Sequence, residues 1–285
     1  MITRRSLLVA SVALGACGSS RASRAATKSV VVCGSDTMVV LAQAWAEAYA
    51  TQRSDVRLEV SGGGTGTGIA ALENGTADLA TASRPMTRAE RARIEAARGS
   101  AVTETRVGLD AITLYVHPEN PCPPLDVSTL GRMYRKKVTR WSSVGGEDLP
   151  IVLYSRENGS GTYAYFRERV LAKADFAAEV QSLPGTSAVV HAVSRDRAGI
   201  GFAGVARAKR ARVLPLVNAR GEVVTPTAED AISGRYPLAR PLFVYGTLDA
   251  PDEAAAFVAW LGSARARSLT ASAGFFDLLG AAPSS

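Results

Sequence analysis

The sequence predicts an α/β protein in which helices cover the faces of β-sheets. Short runs of β-branched and apolar residues alternate along the chain with stretches whose apolar residues recur at helical spacing. Apolar residues make up 47% of the 285 residues and charged residues 21%, as in a globular chain with a sizeable core. Loops rich in glycine, serine and threonine follow several of the strands. This alternation favours largely parallel sheets.

The first part of the chain predicts four strands and three helices. Trp45 and Tyr49, four residues apart, lie on the apolar face of the first helix. The second helix is expected to begin at Ile69, after a run of glycine and threonine. The predicted strands cover 29–33, 56–60, 77–82 and 107–116, and the other two helices cover 38–50 and 87–97.

Four prolines, at 118, 121, 123 and 124, interrupt this pattern and predict a boundary between two lobes. Strands are expected beyond them at 151–154, 198–204 and 242–245. Helices are expected at 126–136, 160–173 and 251–261, with a final helical stretch near the end of the chain.

The N-terminus has the layout of an export signal. Arg4 and Arg5 precede the short apolar stretch 7–16, which is too short to span a bilayer. The paired arginines also resemble a twin-arginine signal. The stretch ends in Leu-Gly-Ala-Cys, similar to the lipobox of bacterial lipoproteins, so residues 1–17 are predicted to be a signal peptide and Cys17 the lipidated residue. Cleavage by ordinary signal peptidase near Ala26 is the alternative. Residues 18–28 are expected to be a tether.

The charge and the cysteines exclude several classes of protein. The formal net charge is +7, and subtracting Arg4 and Arg5 leaves +5. The basic residues are dispersed and lack interleaved aromatics, which argues against nucleic-acid binding but suits attraction of a small anion. Besides Cys17 there are only Cys33 and Cys122, which we expect to be free thiols, although an exported protein could pair them.

Four loops share a composition that points to an oxyanion. Each lies between a predicted strand and a predicted helix or turn, where ligands of open α/β sheets bind. Glycines allow close approach of the backbone, hydroxyls donate hydrogen bonds, and the N–H groups of a following helix point at the ligand. Arg84 and Arg156 add charge-assisted donors. The loops are 34–37, 61–68, 83–84 and 156–162.

Enzyme chemistry is disfavoured. The loop 61–68 lacks the Lys-Ser/Thr ending of a nucleotide-binding P-loop. Ser160 is not in a nucleophile elbow, and neither His117 nor His191 has metal-ligand spacing or an obvious catalytic partner. The sequence therefore predicts a binding protein without a cofactor or metal.

These residues resemble the phosphate-binding proteins of ABC importers over about residues 28–275. The segments that carry the resemblance are GSDTM (34–38), SGGGTGTGI (61–69), GTADLATASRPM (75–86), GLDAITLYVHPENP (108–121), the turn 141–146, RENGSGT (156–162), GIGFAG (199–204) and YPLARPLFVY (236–245).

The resemblance implies a two-lobed type II periplasmic-binding fold with the ligand cleft between the lobes. Lobe I would comprise 29–118 and 239–285, and lobe II 119–238, with hinge strands near 107–118 and 239–246. The protein would capture inorganic phosphate outside the cytoplasmic membrane, and domain closure would be recognised by the importer's permease subunits. The predicted phosphate-binding residues are Ser35, Asp36, Thr37, Gly64, Thr65, Ser83, Arg84, Asp110, Arg156, Ser160, Gly161 and Thr162.

The chain departs from one branch of this family in its acidic residues. That branch has a carboxylate after the third strand, where this chain has Ser83-Arg84, and an aspartate where this chain has Asn158. The group that accepts the phosphate proton must then come from elsewhere, and Asp36 and Asp110 are the candidates. Asp36 could instead cap a helix, and Asp110 could orient an arginine in the cleft. Sulfate, molybdate or tungstate as ligand, and an extracytoplasmic sensor or adhesion module, remain the alternatives.

Overall fold

The computed structural model describes residues 27–205 and 210–277, and it has a mixed α/β architecture. The strands are β1 Lys28–Gly34, β2 Val56–Gly63, β3 Leu79–Ala82, β4 Val102–Val116, β5 Leu125–Asp126, β6 Val152–Arg156, β7 Gln181–Leu183, β8 Gly199–Gly204, β9 Arg212–Leu214, β10 Leu216–Val217, β11 Val223–Val224 and β12 Ala239–Thr247. The helices are α1 Val39–Ala50, α2 Thr65–Glu73, α3 Arg88–Arg98, α4 Val127–Tyr134, α5 Gly161–Val170, α6 Gly185–Val193, α7 Ala228–Ile232, α8 Asp252–Trp260 and α9 Ala264–Ser272, with a 3-10 turn at Trp141–Val144.

Nine of these strands form one sheet, in the order β2-β1-β3-β12-β4-β8-β6-β7, with β9 also paired to β4. The strands β1, β2 and β3 run parallel to one another, as do β6, β7 and β8. The expectation of largely parallel sheets was nevertheless wrong. The two central strands, β4 and β12, run antiparallel to each other and to their outer neighbours β8 and β3.

The long strand β4 joins the two halves of this sheet. Its first part, 102–111, pairs with β12, and its last part, 112–116, pairs with β8. We call the half that contains β1, β2 and β3 the first lobe, and the half that contains β6, β7 and β8 the second lobe. The register between β4 and β12 shifts between Leu242 and Phe243. A change of register of this kind bends paired strands locally.

Each lobe has its own hydrophobic core. In the first lobe, Leu41, Trp45 and Tyr49 of α1 pack with Val30 of β1 and Phe257 of α8. The core of the second lobe is built around a ring cluster, in which Phe166 of α5 stacks on Phe202 of β8 at 3.8 Å and Tyr134 of α4 lies edge-on to both. Two separate cores connected by two strands can move relative to each other with little loss of packing.

The predicted helix starts were accurate except at α2. Thr87 caps α3 in a capping box with Glu90, and Asp126 caps α4. However, α2 begins at Thr65 and not at Ile69, because the Thr-Gly-Thr-Gly run itself forms the first helical turn. Glycine and threonine are poor helix formers, so tertiary contacts override local propensity here. The helices α6 and α7 were not predicted, nor were the short strands β5, β7, β9, β10 and β11.

Part of the predicted N-terminal segment lies outside the described residues, including Cys17 and the signal peptide. Among residues 27–205 and 210–277, none of the helices is long and apolar enough to cross a membrane. Within the same ranges Cys33 and Cys122 are free thiols, the first half-buried and the second buried.

Candidate functional site

The carboxyl ends of β1, β2, β3 and β6 meet at one place between the lobes. The ends of the first three are tied together by the backbone. Ser35 N donates to Thr81 O at 3.0 Å, and Gly64 N donates to Gly34 O at 2.9 Å. Gly34 has φ +143°, and a Cβ there would lie 2.2 Å from Thr81 O, so only glycine lets these two strand ends approach so closely.

Three buried side chains of the first lobe face this place. Thr65 is the first residue of α2, and its Oγ1 accepts a bond from Ser83 N at 3.1 Å and lies 3.4 Å from Ser83 Oγ. The third, Ser35, is 2% exposed. The positive end of α2 therefore lies beside buried hydroxyls, which is an arrangement that favours an anion.

The second lobe presents an equivalent helix end. Ser160 caps α5 by accepting bonds from the backbone N–H groups of Thr162 and Tyr163. The starts of α5 and α2 face each other across the cleft. Gly66 N donates to Gly159 O at 3.0 Å, which closes the two loops against each other. Two helix N-termini thus converge, and each carries a partial positive charge.

Glycine is required at two positions of this contact. A Cβ at Gly161 would lie 2.4 Å from Thr65 Oγ1 and 2.6 Å from Ser83 Oγ, both of the first lobe. Gly64 has φ +97°, and a Cβ there would lie 2.7 Å from Gly159 O. Any larger residue at these positions would hold the lobes apart.

Arg156 lies at the end of β6 with its side chain 1% exposed. Its guanidinium bonds Glu157 Oε1 at 2.7 Å, Asp36 Oδ2 at 3.0 Å and Thr186 Oγ1 at 3.0 Å. Since Asp36 belongs to the first lobe, this ion pair spans the cleft. Burial alone would raise the pKa of Glu157, but the bond from Arg156 and the N–H of Gly185 bring that pKa below its usual value.

The two candidate carboxylates lie in different surroundings. Asp36 is not a helix cap, because α1 begins at Val39 with Met38 as its N-cap. Its Oδ1 accepts from Gly63 N at 2.8 Å, and its Oδ2 accepts from Arg156. Asp110, on β4, is fully buried, and its Oδ1 has no hydrogen-bond partner among residues 27–205 and 210–277.

Arg240 is a cleft residue that the sequence reasoning missed. It is fully buried on β12 and forms a 2.8 Å ion pair with Asp110. Its Nη2 also donates to Thr162 Oγ1 at 2.8 Å, and Thr162 Oγ1 lies 3.1 Å from Thr37 Oγ1. The signal for it was a lone charge in an otherwise apolar strand, set between Ala239 and Pro241.

Arg84 is the one predicted charged residue that the structure does not bring to the cleft. Its guanidinium forms a two-pronged bond with Glu90 at 2.6 and 2.8 Å, at the N-terminus of α3. The structure brings the other predicted residues together; they are Ser35, Asp36, Thr37, Gly64, Thr65, Ser83, Asp110, Arg156, Ser160, Gly161 and Thr162.

Two further features of the described residues bear on the chemistry. Within these residues no group of three or more His, Cys, Asp or Glu side chains could hold a metal ion. A cavity of about 640 Å³ opens beside Thr37, between α1 and α6. It is lined mainly by apolar side chains, and Thr37 alone of the predicted site residues contributes to it, so it adjoins the cluster of hydroxyls and arginines without containing it.

The chain matches known proteins along most of its length. The model of the PBP superfamily domain matches residues 19–265. The chain is 34% identical over 225 residues to the protein SphX of Synechococcus elongatus and 34% identical over 227 residues to the phosphate-binding protein PstS of Pseudomonas aeruginosa, in each case over 74% of this chain. It spans 66% and 70%, respectively, of the length of those two relatives.

Solved structures with the same architecture include a substrate-binding protein from Clostridium perfringens. That structure, described as a putative phosphate ABC transporter substrate-binding protein with bound phosphate, superposes with a TM-score of 0.80 at 26% identity. The match covers 88% of this chain and 100% of that one.

Proposed function

We propose that this protein captures inorganic phosphate for an ABC importer. The chain belongs to the PBP superfamily and, within it, to the phosphate-binding proteins with a type II periplasmic-binding fold. The observation that carries the proposal is the meeting of two helix N-termini in a cleft lined with buried hydroxyls. A small anion stripped of water would meet there the positive ends of α2 and α5 and hydroxyls from both lobes.

The electrostatics of the cleft support an anion held by dipoles as much as by charges. Both buried arginines already have carboxylate partners: Asp36 and Glu157 bind Arg156, and Asp110 binds Arg240. An incoming dianion would therefore depend on hydroxyls and helix ends for much of its stabilisation. Such donors also select ligands by shape, because each N–H or O–H is directed at one oxygen of the ligand.

The predicted ligand contacts are divided between the lobes, which supports capture by closure. In our proposal lobe I comprises 29–118 and 239–285, and lobe II comprises 119–238. Ser35, Thr65 and Ser83 would approach the anion from lobe I, and Ser160 and Arg156 from lobe II. The closed form would be the one that the permease subunits of the importer recognise.

We also propose that the protein acts outside the cytoplasmic membrane and is held there by a lipid on Cys17. The proposal rests on the signal layout of residues 1–17 and on the lipobox-like Leu14-Gly15-Ala16-Cys17. A lipid anchor would keep the binding protein near its importer, which raises its effective concentration at the permease.

Calorimetric titration of the mature protein with phosphate, sulfate and molybdate tests the ligand assignment. We expect phosphate to bind and the other two anions to bind much more weakly. Tighter binding of sulfate or molybdate would assign the protein to another oxyanion. Phosphate binding without stimulation of transport by the cognate permease would point to a sensor in place of an importer component.

A further inference from the structure

Arg240 is a buried cation that the proposed contacts with phosphate do not use. It lies on β12 directly opposite Asp110 on β4, at the place where these two strands connect the lobes. Both side chains are 0% exposed. Arg240 Nε and Nη2 both donate to Asp110 Oδ2, at 3.1 and 2.8 Å.

The same guanidinium contacts one hydroxyl from each side of the cleft. Nη2 donates to Thr162 Oγ1, at the start of α5, at 2.8 Å, and it lies 3.4 Å from Thr37 Oγ1, in the loop after β1. The two hydroxyl oxygens are 3.1 Å apart. Arg240 thus bridges Thr37 of the first lobe and Thr162 of the second lobe.

The buried ion pair between Arg240 and Asp110 is difficult to explain by the stability of the fold alone. Arg240 Nη1 and Asp110 Oδ1 are buried without a hydrogen-bond partner among the described residues. Burial lowers the pKa of Arg240, while Asp110 opposes that shift by favouring the charged form. Because buried ion pairs are often no more stabilising than apolar residues of similar volume, a charged pair at the hinge calls for a role beyond holding the fold together.

We propose that Arg240, oriented by Asp110, is a positioning residue for anion capture that couples the hinge to closure of the cleft. It gathers Thr37 and Thr162 into the arrangement that faces the ligand. In an open form the two threonines separate, and Arg240 keeps contact with only one of them. Closure restores the second contact next to the hinge strands, so Arg240 favours the closed form. This inference rests on the proposed capture of phosphate.

The expected consequence is a change in the closing equilibrium. The apparent affinity of a ligand falls with the fraction of protein that can adopt the binding-competent form. Loss of Arg240 should therefore weaken phosphate binding mainly by speeding its release. A residue that served only the stability of the fold would lower the unfolding midpoint and leave the release rate of the folded protein unchanged.

A double-mutant cycle in the mature protein tests this role. One step is the combined change Arg240→Met with Asp110→Leu, which removes both charges so that neither is left buried alone. The other step is Thr162→Val. Phosphate affinity is measured by calorimetry, release by stopped-flow, and closure by small-angle scattering with and without phosphate. Arg91→Met is the control, since Arg91 contacts Glu104 and Val102 O on the outside of the first lobe.

We expect the charge-removing pair to bind phosphate at least tenfold more weakly than both wild type and Asp110→Asn, with faster release, and the control to stay within twofold of wild type. The comparison with Asp110→Asn separates the loss of Arg240 from the loss of a carboxylate that accepts the phosphate proton. The loss of phosphate affinity caused by Thr162→Val should be at least threefold smaller in the protein that lacks Arg240 than in wild type. Binding within threefold of wild type in the charge-removing pair, or independent effects of the two steps, would overturn the inference.

A second variant keeps the inference testable if the protein with Arg240→Met and Asp110→Leu does not fold. Arg240→Lys keeps the charge beside Asp110 but cannot reach both threonines with a planar fork. It should lose part of the affinity and reduce the effect of Thr162→Val. The inference is contradicted if Arg240→Lys binds phosphate as tightly as wild type and Thr162→Val costs the same affinity in both proteins. Wild-type protein that does not bind phosphate removes the proposed function and this inference together, whereas phosphate-binding wild type with unaffected variants removes this inference alone.

Discussion

At the scale of single residues, what matters in the cleft is which partner each charged side chain already has. Arg156 is shared between two carboxylates and a threonine inside the cleft, whereas Arg84 is bound to Glu90 at the start of α3. Arg156 is the last residue of β6 and Arg84 follows β3, so each arginine lies where a strand meets a loop. Their contacts nevertheless predict opposite results on mutation.

Replacing Arg156 with alanine should weaken phosphate binding by about 2–5 kcal/mol, because it leaves a desolvated anion, together with Asp36 and Glu157, short of a cation. Arg84→Ala is the matched control and should change phosphate binding by less than about 0.5 kcal/mol. Calorimetry on the two variants checks both values. If Arg156→Ala bound phosphate within about threefold of wild type, the anion would have to be placed elsewhere.

The preference for phosphate over sulfate should depend on a carboxylate. Phosphate near neutral pH carries a proton that an ionised carboxylate can accept, whereas sulfate offers only lone pairs and repulsion. Within the described part of the chain Asp110 Oδ1 has no hydrogen-bond partner, while both oxygens of Asp36 accept hydrogen bonds. Asp110→Asn is therefore expected to weaken phosphate binding, and to reduce the preference for phosphate over sulfate, more than Asp36→Asn. Competition of sulfate against phosphate in both variants measures this. Equal binding of the two anions by wild type would exclude the mechanism.

At the scale of elements, the start of α3 shows how a local cap fixes a strand-to-helix connection. Thr87 Oγ1 accepts from Glu90 N, and Glu90 in turn accepts from Thr87 N and from Arg84. Burial alone would raise the pKa of Glu90, but the bonds from Arg84 and Thr87 bring it below its ordinary value of 4.5. A carboxyl with a lowered pKa stabilises the fold above its unfolded-state pKa and loses that contribution as the pH falls.

Thr87→Ala should therefore lower the free energy of unfolding by about 1 kcal/mol at neutral pH. The penalty should shrink as the pH falls below about 4.5, because protonated Glu90 is a weaker partner of the cap. Urea denaturation at pH 7 and at lower pH measures this, with Thr225→Ala as the control, because Thr225 is an exposed threonine that lies outside the helices and is not a cap residue. A penalty independent of pH would show that Glu90 does not contribute.

At the scale of the whole molecule, the close contact of the two lobes depends on the absence of side chains at Gly64 and Gly161. Gly161→Ala places a methyl group against Thr65 and Ser83, and only opening of the cleft relieves that clash. We expect phosphate affinity to fall at least tenfold, about 1.4 kcal/mol, while the unfolding free energy of ligand-free protein changes by less than about 1 kcal/mol.

Calorimetry and denaturation of the same samples separate these two effects. Gly262→Ala is the control, because the nearest atom to its added Cβ would lie at 3.4 Å. A Gly161→Ala protein that closes on phosphate normally, as judged by small-angle scattering, would show that the lobes do not need to approach this closely.

The attachment of the whole protein is predicted by residues outside the described part of the chain. The full-length protein should fractionate with membranes, and Cys17→Ala should release it to the soluble fraction or block its processing, because the thiol that takes the lipid is gone. The intact mass of the native product decides the matter. An unmodified N-terminus that begins downstream of Cys17 would contradict the lipobox assignment.

The sequence alone was sufficient for most of the longer strands and helices and for the loops that the structure brings together at the cleft. Periodic burial and helix caps are local signals, so β1, α1, α3 and β8 could be placed within one to three residues. The Gly-, Ser- and Thr-rich loops pointed to a small oxyanion for the same reason, because the chemistry of a loop is contained in its own residues.

Tertiary structure decided everything that depends on which distant segments meet. The antiparallel pairing of β4 and β12 could not be predicted from the sequence, because the direction of a strand follows from the connections between strands and not from its composition. Arg84 and Arg156 looked alike until their partners were known. Arg240 was missed because its contacts are with Asp110, 130 positions away in the chain, and with two threonines of opposite lobes. Contacts of this kind are set by packing of the whole chain, which no local pattern encodes.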